Sequence, residues 1–166
     1  MIKFFEANQL IKINSRFIGK IYPQQEIDIE KAENLLNVFF PLSYKLFLKE
    51  YGTLDLGGEE IYGLDSITTY EKYVYYNVVC ATLDQRNINI NPPFSKAFVP
   101  IYDLGDGEKY CLDTSKINEF KECPVVSWYF GKTEYLYEDF GMFFLDTVKV
   151  ALRSLEDEGK KINWLN

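Results

Sequence analysis

The chain of 166 residues carries 18 lysines and arginines against 25 aspartates and glutamates, which gives a net charge of −7 and a pI near 4.7. This length is that of a single domain of ordinary size. The acidic charge argues against direct binding to the phosphates of DNA or RNA. With 47% hydrophobic and 17% aromatic residues, the composition is that of a folded protein and excludes a disordered chain.

The sequence contains no histidine. This excludes Ser-His-Asp and Cys-His nucleophiles, histidine acid–base catalysis and zinc sites of the H-E-x-x-H type. The cysteines Cys80, Cys111 and Cys123 form no C-x-x-C pair, so we expect neither a disulfide framework nor a metal site, and no cofactor. Three such cysteines are typical of small buried residues in a reducing compartment.

Residues 1–25 hold four basic residues and one acidic residue, a net charge of +3, which leaves −10 on residues 26–166. We interpret them as a basic leader that packs on the core as a helix or edge strand, with a detachable arm as the alternative. Pro23 marks its boundary with a domain over residues 26–166. The leader's apolar contacts are predicted to be Phe4, Phe5, Leu10, Ile11 and Phe17.

The N-terminus lacks the basic and apolar regions of a signal peptide, and no apolar run is long enough to span a bilayer. We therefore expect a cytoplasmic protein with no membrane partner.

Two short helices are predicted next. The first begins at Asp28 as its N-cap, repeats apolar residues at helical spacing as far as Phe39, and ends before Pro41. The second has Ser43 as its N-cap and ends at Gly52, which permits the left-handed turn after a helix.

Strands follow. Residues 53–56 and 60–62 are predicted to pair through the turn at Gly57-Gly58. Residues 66–86 are ambiguous, because cap residues and length favour a helix while β-branched and aromatic residues favour a strand; we predict mostly helix.

The second half of the chain predicts a hairpin, a strand and a long helix. Residues 98–102 and 109–112 flank Gly105-Asp106-Gly107, a strong hairpin signal, and residues 125–130 form a further strand. Asp139 caps a helix with an apolar stripe along one face. The apolar stripe must be buried against another apolar surface, and a sheet formed by the central strands would supply one. We therefore predict an α+β fold.

The order of these features is distinctive. It comprises Ile29, Ala32 and Glu33, then Phe40-Pro41 with Tyr44 and Phe47-Leu48, Tyr51-Gly52, Ile61-Tyr62-Gly63-Leu64, Thr82 with Arg86, Tyr110-Cys111-Leu112-Asp113-Thr114, and Cys123-Pro124-Val125-Val126 with Trp128. This succession, over residues 26–155, resembles the SUKH superfamily, which groups bacterial toxin-immunity proteins with fungal regulators of cell-wall synthesis.

The resemblance implies a SUKH-like fold, with N-terminal helices and a long C-terminal helix packed on a central antiparallel sheet, and no catalytic activity. It also implies an immunity protein, or antitoxin, that binds and blocks the catalytic domain of a cognate toxin, often a nuclease. An acidic surface suits that role, since it could occupy the basic cleft of a nuclease and accelerate the encounter. The basic leader is not explained by the family core.

Two other functions stay open. The first is a non-catalytic regulatory module in signalling or cell-envelope synthesis. The second is an enzyme that works through paired carboxylates, as glycosidases do. We disfavour the enzyme because no carboxylate pair stands out and Gly105-Asp106-Gly107 lacks the third glycine of a phosphate-binding loop.

Acidic and aromatic residues at the two predicted hairpins are the candidates for partner binding. They are Asp55, Glu59, Glu60 and Asp65 with Tyr62, then Tyr102, Asp103, Asp106 and Glu108, and finally Tyr129. The alternative is that the carboxylates are solvated turn residues, since surface ion pairs contribute only about 0–1 kcal/mol. Trp128 should point to the opposite face from Tyr129 and into the core. We expect Glu33 and Arg86 to have structural roles.

Overall fold

The computed structural model describes residues 1–65 and 77–165. Within them the chain folds into helices packed on antiparallel strands, so the predicted α+β class is confirmed. The helices are α1 (Ile2–Ile13), α2 (Glu26–Leu36), α3 (Leu42–Glu50), α4 (Val78–Asn87) and α5 (Phe140–Asp157). The strands are β1 (Leu54–Leu56), β2 (Glu59–Ile61), β3 (Phe98–Asp103), β4 (Lys109–Asp113), β5 (Val125–Tyr129) and β6 (Lys132–Tyr137).

Most predicted elements are present with small shifts at their ends. The hairpin glycines Gly57 and Gly58 have φ of 59° and 89°, and Gly52 after α3 has φ of 73°, as the sequence predicts. Of the helix predicted over residues 66–86, residues 66–76 lie outside the described part, and α4 confirms the rest.

The sheet is an antiparallel meander in the order β3-β4-β5-β6. Val99 on β3 pairs with Leu112 on β4, and Leu112 pairs in turn with Val125 on β5. The β1–β2 hairpin joins the β3 edge, where the Tyr62 amide donates to the Ile101 carbonyl at 2.8 Å.

The main core lies between α5 and the sheet, with α1 and α3 completing it. Phe140 and Phe144 on α5 lie 5.3 and 5.5 Å from the ring of Phe47 on α3, and Tyr44 lies 5.0 Å from Phe140. These rings are fully buried. The apolar stripe predicted for α5 is therefore the surface on which the helical layer meets the sheet, and Asp139 caps it by accepting from the Met142 amide.

The leader contains α1, which packs along α5. The ring of Phe4 stacks on Phe144 at 5.4 Å, and Glu6 pairs with Lys149 at 2.9 Å. The prediction that Phe5 contributes to this packing is wrong, because Phe5 lies on the outer side of α1 and is exposed. The first part of the leader therefore forms a helix that packs on the core, as predicted. The domain boundary at residue 25 stays a prediction.

The predicted starts of α2 and α3 are wrong. Gln25 and not Asp28 precedes α2, and the helix ends at Leu36 because Asn37 adopts a left-handed conformation, which leaves Phe39 73% exposed. Pro41 and not Ser43 precedes α3. Ser43 lies inside the helix, and its hydroxyl donates to the buried carboxylate of Glu122.

The sequence analysis also missed β6. Its side chains are mostly polar and exposed, so they show no alternation of apolar and polar residues. The strand predicted over residues 125–130 ends at Tyr129 because Phe130 and Gly131, with φ of 44° and 85°, form the turn into β6.

A second apolar cluster covers the sheet face away from α5. Trp128 is only 5% exposed there and packs with Cys111, Val126 and Phe94, whose ring centroid lies 5.0 Å from that of Trp128. Trp128 is therefore buried as predicted, in this smaller cluster.

Glu33 and Arg86 have structural roles, as expected. The Glu33 carboxylate accepts from the Phe40 amide at 2.6 Å and pairs with Lys45 at 2.8 Å. The Arg86 guanidinium donates to the carbonyl of Leu36 at 2.8 Å and to that of residue 96, and so ties α4 to its neighbours.

Gly63 packs against the turn that follows α3. A Cβ atom on Gly63 would lie 1.7 Å from the Gly52 carbonyl oxygen, whereas one on Gly159, which has φ of 84°, would meet nothing within 4 Å. We expect Gly63→Ala to cost about 3 kcal/mol or more in free energy of unfolding. Gly159→Ala, which is strained only in its backbone, should cost about 1 kcal/mol. Urea denaturation compares the two, and equal losses would contradict the steric explanation.

Glu122 is the carboxylate that Ser43 binds, through its amide at 3.0 Å and its hydroxyl at 2.6 Å. Burial raises the pKa of Glu122 more than these hydrogen bonds lower it. A carboxyl with a raised pKa in the folded state contributes stability at low pH and loses it as pH rises through that pKa. We expect wild type to lose stability relative to Glu122→Gln as pH rises above about 4.5, the ordinary pKa of a glutamate. A difference in unfolding free energy that stays constant with pH would refute this, and Glu119→Gln serves as the exposed control.

Candidate functional site

Three hairpin turns lie together at one end of the sheet. Asp103, the last residue of β3, pairs with Lys109, which pairs with Trp128 near the end of β5, so the β3–β4 and β5–β6 turns are neighbours. The β1–β2 turn joins them because the Tyr102 hydroxyl donates to the Glu59 carboxylate. We call these three turns, residues 55–60, 103–109 and 129–132, the hairpin end.

Most of the predicted partner-binding residues lie at the hairpin end. They are Asp55, Glu59, Glu60, Asp103, Asp106, Glu108 and Tyr129, and Tyr102 on β3 directly precedes Asp103. Tyr62 and Asp65 do not belong to it. The Tyr62 ring packs against the main core, and the Asp65 carboxylate accepts from the Asn77 side chain at 2.8 Å, at the start of α4.

Several of these carboxylates order the turns that carry them. Asp55 accepts from the Gly58 amide at 3.2 Å, and Asp106 accepts from the Glu108 amide at 2.9 Å. Asp103 accepts from the amide of residue 105 and pairs with Lys109. These carboxylates are therefore turn residues, which is the alternative role stated above. The same hydrogen bonds also hold their negative charges in defined positions at the hairpin end.

Exposed aromatic rings lie beside these carboxylates. Tyr129 and Phe130 are 43% and 64% exposed, and their rings meet edge to face at 4.8 Å. Both rings lie over Gly107, where a Cβ atom would come within 3.4 Å of Phe130 and 3.9 Å of Tyr129. We call Tyr129 and Phe130 the aromatic pair. It joins the β5–β6 turn to the acidic β3–β4 turn.

Phe130 was missed as a site residue. Its φ of 44° is rare for a bulky residue, and such a conformation costs about 1–3 kcal/mol. Asparagine or glycine is the usual residue at this place in a two-residue hairpin turn. The available signal was an aromatic residue directly before Gly131 at the end of an apolar strand.

Beside the aromatic pair, three tyrosines surround Phe143 of α5. The ring centroids of Tyr102, Tyr110 and Tyr137 lie 6.0, 6.2 and 5.8 Å from that of Phe143. They form a cavity of about 200 Å³, which we call the tyrosine groove. Its remaining lining residues are Glu59, Leu104, Asp146, Thr147 and Val150.

The tyrosine groove has a negative environment. Burial raises the pKa of all three tyrosines, and neighbouring carboxylates raise it further: Glu59 for Tyr102, and Asp146 for Tyr137. The phenols therefore stay protonated and act as donors, as the Tyr137 hydroxyl does to the Asp146 carboxylate at 2.7 Å.

A larger cavity, of about 620 Å³, lies between α3 and residues 114–121. Its walls include the apolar Leu46 and Ile117, and its rim carries Lys45, Lys49 and Lys121. None of the predicted site residues lines it. Lys45 and Lys49 lie one turn apart on α3, whereas Lys121 comes from a segment far along the chain, so no local sequence pattern marks the whole cavity.

The buried cysteines and the acidic residues are the candidates for a nucleophile and for a metal site. Burial raises the pKa of the Cys111 and Cys123 thiols, so neither is a ready nucleophile. Among residues 1–65 and 77–165, no cluster of cysteines, aspartates and glutamates is arranged to hold a metal ion. In the same part of the chain, no helix has the length and apolar character to cross a bilayer.

Comparison with known families agrees with this fold. The family model SUKH_5, described as SMI1-KNR4 cell-wall, matches residues 6–149, which run from the first turns of α1 to the middle of α5. Members of the SUKH superfamily are generally non-catalytic immunity or regulatory proteins that interact with partner proteins. The match extends over most of the chain and includes the helices and sheet described above, so this protein belongs to the SUKH superfamily.

Proposed function

We propose that this protein is an immunity protein that binds the catalytic domain of a cognate toxin and occludes its active site, with a nuclease as the expected toxin class. The observation that carries the proposal is the hairpin end, where fixed carboxylates lie beside the exposed aromatic pair. Family membership supports the same function, since the superfamily includes immunity proteins.

Electrostatics supports the choice of a nuclease. An enzyme that grips a phosphate backbone presents a basic cleft, and a rigid acidic surface attracts such a cleft over a long range. Asp55 and Asp106 are held by their own turns, so they need little reordering on binding, whereas the charge of Asp103 is paired with Lys109. Their charge would set the rate and orientation of association more than its final strength.

The aromatic pair would supply most of the binding energy. Exposed aromatic side chains near the centre of an interface often dominate its affinity. The tight turn at Phe130 and Gly131 holds both rings in place before binding, which lowers the entropy cost of ordering them. The solvent-accessible surface of 9191 Å² is large enough for an interface of about 800 Å² at the hairpin end, roughly a tenth of the whole.

Co-expression tests the proposal directly. The toxin domain encoded by the neighbouring gene is expressed with and without this protein, and growth and co-purification are scored. Restored growth together with a one-to-one complex supports an immunity protein. A toxin that remains lethal and does not co-purify would reject it.

A second candidate is a regulatory interaction module. The description of the matching family refers to the cell wall, and the larger cavity beside α3 offers a second surface for a partner, away from the hairpin end. The neighbouring gene separates the two functions. A gene for a large secreted protein with a C-terminal toxin domain favours immunity, and an unrelated gene favours regulation.

Phe130→Asn separates the role of the ring from that of the turn. Asparagine suits the positive φ, so we expect the free energy of unfolding to stay the same or rise by about 1 kcal/mol. Loss of the ring should weaken toxin binding at least tenfold, since a central aromatic contact contributes about 2 kcal/mol or more. Calorimetric titration measures the affinity. Phe120→Asn, at an exposed phenylalanine outside the hairpin end, should bind normally, and wild-type affinity for Phe130→Asn would remove the aromatic pair from the interface.

Neutralising acidic side chains tests electrostatic attraction. The variant Glu60→Gln, Asp106→Asn, Glu108→Gln preserves the β3–β4 turn, because an asparagine side chain at residue 106 can still accept from the amide of residue 108. We expect slower association and a flatter dependence on salt concentration, measured by stopped flow. The control removes the same charge at exposed carboxylates outside the hairpin end, by Glu30→Gln, Glu119→Gln and Asp157→Asn. Equal effects of the two variants would show that only net charge matters.

A further inference from the structure

We propose that the tyrosine groove is a socket for one cationic side chain, a lysine or arginine that projects from the partner protein. The inference rests on the proposed function for the source of that side chain. The groove itself can be tested without the partner.

The size of the groove suits a single side chain. Its volume of about 200 Å³ is below the 300–1,000 Å³ that is usual for sites of drug-sized ligands. Glu59 and Leu104, which belong to the hairpin end, form part of its wall, so the groove adjoins the hairpin turns. A long side chain from a protein docked on the hairpin turns could therefore enter it.

The charge of the groove selects a cation. Its lining includes two carboxylates from different elements, Glu59 of β2 and Asp146 of α5, and no lysine or arginine. One oxygen of each accepts a tyrosine hydroxyl, Glu59 from Tyr102 and Asp146 from Tyr137. The other oxygen of each makes no hydrogen bond within the described residues, so two acceptors remain for an ammonium or guanidinium group.

Aromatic rings supply the rest of the recognition. The faces of tyrosine and phenylalanine rings attract cations, by about 0.5–1 kcal/mol when exposed and about 2 kcal/mol or more when water is excluded. The hydroxyl–carboxylate hydrogen bonds hold the rings of Tyr102 and Tyr137, and Phe143 lies fully buried between them. The same carboxylates that raise the pKa of these tyrosines would stabilise a bound positive charge.

A titration with a side-chain mimic tests the groove alone. N-acetyl-arginine amide is added to the protein, and the ring resonances of Tyr102, Tyr110 and Tyr137 are followed by NMR. We expect saturable shifts with a Kd in the millimolar range. N-acetyl-citrulline amide, which has the same shape and no charge, should cause at least fivefold smaller shifts.

Variants locate the binding. Glu59→Gln combined with Asp146→Asn keeps acceptors for the tyrosine hydroxyls and removes both charges, so the arginine response should fall at least fivefold. Asp157→Asn, on α5 outside the groove, is the control. If the double variant does not fold, Glu59→Gln alone, on the short β1–β2 hairpin, gives the same test. An equal response to citrulline, or an unchanged response in these variants, would overturn the proposal.

The arginine titration and the toxin-binding experiment test the socket and the proposed function separately. If arginine does not bind while Phe130→Asn still weakens toxin binding, the socket is wrong and the immunity function stands. If arginine binds and the neighbouring toxin does not, the socket stands and its cation comes from another protein.

Discussion

The structure depends on the aromatic face of α5. Phe140 and Phe144 are buried against α3, while Phe143 points toward the sheet and meets the tyrosines of β3, β4 and β6. One helix therefore closes the main core on two sides. Burial of a phenylalanine contributes about 1.5–3 kcal/mol, so this run of rings is among the largest sources of stability in the chain.

The same helix links the core to the candidate site. Phe143 lies under the tyrosine groove, and Asp146, one turn later, supplies one of its carboxylates. Because both residues lie on a helix that is rigidly packed, the geometry of the groove is set by the core and not by a loop. The hairpin end consists of turns, but they are short and held by their own carboxylates, so this part of the site is also fixed before any partner arrives.

The sequence predicted well where local chemistry determines the backbone. Asp139 as a cap, the stripe of α5 and the glycines at Gly57 and Gly58 act within a few residues, and all three predictions are confirmed. Predictions failed where a distant residue decides. The local pattern predicts Ser43 as a cap, but its hydroxyl donates to Glu122, which is far along the chain. The tyrosine groove likewise combines side chains from β2, β3, β4, β6 and α5, and no periodicity or motif connects them.

Strand β6 ends the sheet, and its polar character has a further effect. An edge strand offers unpaired amides and carbonyls to which a strand from another molecule can add, and this is a common route to aggregation. Lys132 and Glu134 place charges of both signs along this border. The polar side chains of β6, which gave no hydrophobic pattern in the sequence, thus oppose edge-to-edge pairing between copies of this chain.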